Sequence, residues 1–142
     1  MKDDFASLFA FNRWANAKML DACRKLTPEQ YAAEPVPGWS SVRFTVYHIA
    51  VVTDGWLRAL VDDPNQNFPT EEEVPTPDDA GRILDRGYRT LDSLLLPPWV
   101  VLRHVVNHTT YHRGQVASKL KRFGVQQPET DLVFWALEQV PY

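Results

Sequence analysis

The sequence predicts an all-α fold: a four-helix bundle with a short C-terminal helix. Two observations predict it. Four long stretches repeat apolar residues at helical spacing, and no stretch alternates apolar with polar as a half-buried strand would. The 11 prolines fall at helix starts and in the connections between these stretches, where a missing N–H costs little.

Composition narrows the classes of function. The 142 residues are 44% hydrophobic and 23% charged, an ordered globular balance expected to form one domain, 1–142, around one core. The net charge of −3 comes from both signs mixed along the chain. No basic patch with interleaved aromatics occurs, so nucleic acid is not an expected partner. No apolar run approaches the ~20 residues of a membrane span. The opening MKDDFASLFAFNRW has early acids and no secretory apolar core, so a cytoplasmic location is expected. Cys23 is the one cysteine; it fits a reducing compartment and reads as a small buried apolar side chain.

The elements follow in order. Asp3 to Lys25 forms the first long pattern, with Phe5, Leu8, Phe9, Trp14, Met19, Leu20 and Cys23 on a wide apolar face. Thr27-Pro28-Glu29-Gln30 starts a short helical turn, and EPVPGW at 34–39 is a loop. Ser40 or Ser41 caps the second long helix, which runs to about Leu60. Its expected core line is Phe44, His48, Val51, Val52 and Gly55, widened by Trp56, Leu57 and Leu60. A loop fills 61–75. Thr76-Pro77-Asp78-Asp79 starts the third long helix with a cap, a proline and acids at the positive dipole end. Ile83, Leu84, Tyr88 (or Gly87), Leu91 and Leu94 or Leu95 form its face. Pro97-Pro98 closes that helix and opens the fourth, Val100 to Phe123. Lys119, Lys121 and Arg122 suit its negative end, and Gly124 its left-handed C′ position. Thr130 to Glu138 is a short final helix, whose Leu132, Val133, Trp135, Ala136 and Leu137 are expected to pack on the bundle.

Three of the four histidines lie in the fourth long helix: His104, His108 and His112. Residues four apart on a helix are neighbours on one face, so His108 with His112, or His104 with His108, can aim two imidazoles at one point, as a metal ion requires. His104 alone reads as a surface or boundary residue. His108 and His112 continue the apolar stripe of Val101, Val105, Val116, Leu120 and Phe123. Two imidazoles buried side by side without partners would cost on the order of 1–3 kcal/mol each, and a shared metal removes that cost. His48, on a core line of a neighbouring helix, offers a third ligand.

LFAFNRWAN at 8–16, VYHIAVVTDGWL at 46–57 and, above all, HVVNHTTYHRGQ at 104–115 resemble the DinB/YfiT family of proposed metal-dependent enzymes. The resemblance spans Leu8 to about Leu137. It implies a four-helix bundle that holds a metal with His48 from the second long helix and His108 and His112 from the NH…HRGQ helix, leaving His104 outside. One departure is visible: similar members carry a longer connection between the third and fourth helices, whereas LDSLLLPPWVVL passes here directly from one to the next.

Three neutral imidazoles leave a coordination position open, the mark of a catalytic site. Zinc and nickel suit this donor set, with iron a third candidate. The resemblance implies transfer of a low-molecular-weight thiol to an electrophile, or metal-assisted hydrolysis. Hydrolysis would want a carboxylate base, for which Asp54 is the nearest candidate. Gln115 and Asn107 flank the ligands as candidate hydrogen-bond partners. The expected partner is a small molecule, and a homodimer suits a bundle of this size. The competing reading is a non-enzymatic metal-binding or stress-related protein, whose metal would be sealed by large side chains such as Trp14, Trp56 or Tyr111.

Overall fold

A computed structural model describes residues 2–61, 63, 67–92 and 99–139. The fold is all-α: α1 (Lys2–Cys23), α2 (Pro28–Ala32), α3 (Val42–Ala59), α4 (Pro77–Asp92), α5 (Trp99–Arg122) and α6 (Leu132–Glu138). The four long helices make the bundle. α3 packs on α4 and α5, and α1 closes the other side against the same two.

The helix ends follow from local chemistry. Thr27 and Gln30 form a reciprocal capping box at α2. Ser41 Oγ accepts from the Phe44 N–H at the start of α3. Thr76 and Asp79 exchange the same pair of bonds before α4. Gly124, at φ +70°, takes the left-handed position after α5. Pro97, Pro98, Leu94, Leu95 and the connection through 93–98 lie outside the described residues.

The core contains Met19, Cys23, Val42, Leu57, Leu84, Leu102, Val105, Val116 and Leu120. Cys23 is among its most buried members, and burial pushes its thiol up to about 12, the setting of a packed side chain and not of a thiolate. Polar residues share this interior. Arg113, 2% exposed, donates to Asn12 Oδ1 at 2.9 Å and Asn16 Oδ1 at 3.1 Å. Both asparagines donate to the Tyr88 hydroxyl, and Thr109 donates to Asn12. One network thereby ties α1, α4 and α5. A second joins α3 to α4: the fully buried Asp54 carboxylate receives Arg86 Nε at 3.0 Å and Nη2 at 2.6 Å, with Arg58 Nε 2.9 Å away.

These networks correct the expected face of α3. Thr45, Thr53, Asp54 and Arg58 take interior positions, while Phe44 and Trp56 are each 43% exposed. Polar groups with partners can occupy a core line, so apolar residues were released to the surface. α6 is also corrected. It forms, but Leu132, Val133, Ala136 and Leu137 stay exposed. It is fastened instead by the Trp135 ring against Phe11 and by Glu138, which accepts from Trp14 Nε1 and Lys18 Nζ.

Gly87 sets the approach of α4 to α3. A Cβ there would meet Asp54 Cα at 2.9 Å, a backbone atom that cannot swing away. Gly87→Val is expected to destabilise the fold by about 1–3 kcal/mol, read as a lower denaturant midpoint. Gly114→Ala, which meets nothing within 4 Å, is expected not to lower it.

Candidate metal centre

The rotation of α5 is fixed from its interior side. Thr109 and Arg113 are held by Asn12 and Asn16. Each directly follows a histidine, and consecutive helical residues point about 100° apart. His108 and His112 are therefore carried to the flank that faces α3, half-buried and not at the centre of the core. His48 meets them there from α3.

The three rings converge. One ligand nitrogen from each lies within 4.8 Å of the other two. Ring centroids are 4.4 Å apart for His108–His112, 4.7 Å for His48–His112 and 5.1 Å for His48–His108. His48 Nε2 and His108 Nε2 face each other at 3.2 Å. A tetrahedral zinc with Zn–N of about 2.0–2.1 Å separates its nitrogens by roughly 3.3 Å, so this pair already has the spacing of one tetrahedral edge. The donors present fit a divalent ion.

Two of the rings, His108 and His48, are held toward the neutral form. Burial, then the neighbouring His112, His48 and His104, pull His108 down to about 4. Burial, followed by His112, also lowers His48. A neutral imidazole is the form that binds a metal. His112 Nδ1 lies 2.8 Å from Gln115 Oε1. Donation from that nitrogen leaves Nε2 available as a ligand and fixes the ring.

The other candidates separate. His104 is exposed, with its ring 5.6 Å from His108 and 5.2 Å from Trp56, outside the trio. Asn107 is exposed. Asp54 is committed to Arg86 and Arg58 and pairs helices; it is not placed as a base. Trp14 is engaged by Glu138 on the α6 side. Trp56, at 43%, and Tyr111, at 65% exposed, do not seal the trio. Tyr111 packs edge-on to His112, and Phe44 stacks over His48, making an aromatic rim. Lys119 takes its expected place in the last turn of α5, and it is also 4% exposed, which that place does not announce. Its signal was the spacing from Gln115 and His112, four and seven residues on, which keeps it on their flank.

A helical bundle whose neighbouring helices bring three imidazoles together is compatible with metal binding, since bundles build such sites from side chains on facing helices. This chain is a member of the DinB family, whose model matches residues 1–95 and 89–139. It is 26% identical to Protein DinB of Bacillus subtilis (strain 168), over 90% of this chain and 91% of that protein. That alignment runs to 157 positions, more than the chain's 142 residues, so the relative has extra residues within the matched region. The two family matches overlap at 89–95, where the chain leaves α4.

The lowered His108 and His48 predict a pH dependence for the chelated protein. An unfolded histidine titrates near 6.5, and folded His108 near about 4, so between these values the unfolded chain binds more protons. Stability is present above pH about 6.5 and lost as the pH falls toward about 4. The melting temperature of chelated protein should fall across that window, and His108→Asn should flatten the slope.

Proposed function

We propose that this protein is a metalloenzyme in which His48, His108 and His112 hold one divalent ion, and that its reaction joins a low-molecular-weight thiol to an electrophile. Zinc and nickel suit the donor set, and iron is a third candidate. The observation that carries the reading is the convergence of three imidazoles with no carboxylate among them, on a flank whose rim is exposed. When bound, an ion on three neutral ligands supplies its full charge, which favours a small thiol as thiolate or, in a hydrolytic reaction, lowers the pKa of water toward about 7.

The residues favour the thiol. Hydrolysis would draw on a carboxylate to take a proton, and Asp54 is bound by two guanidinium groups. A thiol needs less help, since its unperturbed pKa is already about 8.5. Gln115 orients His112, and packing holds His108, whose buried Nδ1 has no partner among the described residues. Phe44, Trp56 and Tyr111 offer apolar surface to the electrophile. Among the described residues no helix is long and apolar enough to cross a membrane. We place the enzyme in the cytoplasm, where small thiols are reduced, and a homodimer is part of the proposal.

Elemental analysis of purified protein tests the site. Wild type should carry about one equivalent of metal, and His112→Ala should lose it. Gln115→Ala should bind about 10–100-fold more weakly. Metal-loaded protein should consume small thiols in the presence of electrophiles, and chelated protein should not. Cleavage of esters or amides without thiol would select the hydrolytic reaction. Stoichiometric metal with neither activity would select a non-enzymatic metal-binding protein.

A further inference from the structure

Beside the histidines is a cavity of about 300 Å³ lined by Trp39, Ser40, Gln115, Ser118 and Lys119. This volume suits a small molecule. Gln115 belongs to both places: it lines the cavity and accepts from His112. Lys119 lies seven residues beyond His112 on α5, about 10 Å along the axis. A small molecule can span that distance.

Lys119 is unusual in its surroundings. It is 4% exposed, and its ammonium donates to Ser40 Oγ at 3.0 Å, the Ser41 carbonyl at 3.4 Å and Thr45 Oγ1. These are neutral acceptors, and among the described residues no carboxylate faces it. Buried charges are ordinarily paired. A second cation stands nearby, since the Arg122 guanidinium lies 5.8 Å from the Trp39 ring centroid. No acidic side chain lines the cavity. Burial also lowers the basicity of Lys119, with no opposing contribution from an acid.

We propose that this cavity is a subsite for a carboxylate, with Lys119 as the group that reads its charge and the Trp39 ring as an apolar wall, so that the substrate beside the histidines is a small organic acid. Ser40 can turn its hydroxyl to share the carboxylate with the ammonium. As a substrate assignment this rests on the metalloenzyme reading; as a binding site it does not. The subsite would orient an acidic electrophile with its reactive end toward the trio and its carboxylate one helical stretch away.

The test is calorimetric titration with benzoate and with its neutral isostere benzamide. It uses full-length protein stripped of metal, because a carboxylate could also bind the ion. Benzoate is expected to bind at least about tenfold more tightly than benzamide, and Lys119→Met should erase the preference. That variant also loses the bonds to Ser40 and Thr45, so Ser118→Glu serves as a second. Ser118 is exposed, and among the described residues its hydroxyl bonds its own helix, at the Gly114 carbonyl; the new carboxylate should occupy the ammonium and abolish the preference while the melting temperature holds. Equal affinities, no binding of either probe, or a preference that survives Ser118→Glu would overturn the proposal. Because the metal is absent throughout, a chain that prefers benzoate but never takes up metal would keep the subsite and lose the metalloenzyme, and the reverse result would do the opposite.

Discussion

A guanidinium that pairs with no carboxylate among the described residues sits inside this bundle, and the placement of the histidines depends on how it is held. Arg113 is met by the amide oxygens of Asn12 and Asn16 and by two threonine hydroxyls on its own helix. Hydrogen bonds to a charged group contribute about 1.5–3 kcal/mol each, and their geometry tolerates little rotation. Turning α5 by one residue, about 100°, would break the two bonds to Asn12 and Asn16 and leave the charge with only the threonines of its own helix. The network therefore fixes α5 about its axis, and His108 and His112 are aimed at α3 as a consequence.

The facing helix is fixed by the same kind of chemistry. Asp54, fully buried, binds α4 through Arg86 and its own helix through Arg58. Gly87 lets the backbones approach where these groups meet. With both helices locked, His48 has a defined position opposite the α5 pair. Interior positions taken by paired polar groups displace apolar ones, so that Phe44 and Trp56 are exposed and Phe44 stacks over His48. Structural polarity inside and aromatic surface at the rim are two sides of one arrangement.

The fold was legible in the sequence because caps and periodicity are local. Thr27, Ser41, Thr76 and Gly124 mark boundaries through contacts a few residues away. The imidazole pair was legible as a spacing and the third ring as a candidate on the expected core line of α3, which the resemblance to a family singled out, because nothing local in VYHIAVV says which face of α3 turns inward. That choice depends on Asp54 finding Arg86, 32 positions away, and a hydropathy stripe assigns such residues to solvent. The same blindness hid Lys119: its burial depends on hydroxyls at Ser40 and Thr45, more than 70 positions distant. The exposed face of α6 was missed for the opposite reason, since an apolar stripe shows what a helix could bury and not whether a neighbour is present.

Three rings that share one ion, with room for another donor, are the centre of the proposed function. X-ray absorption at the metal edge of loaded protein tests this directly. It should show three imidazole nitrogens at about 2.0–2.1 Å and, after a small thiol is added, a new sulfur at about 2.3 Å. A spectrum without imidazole scattering, or one that a thiol leaves unchanged, would contradict it.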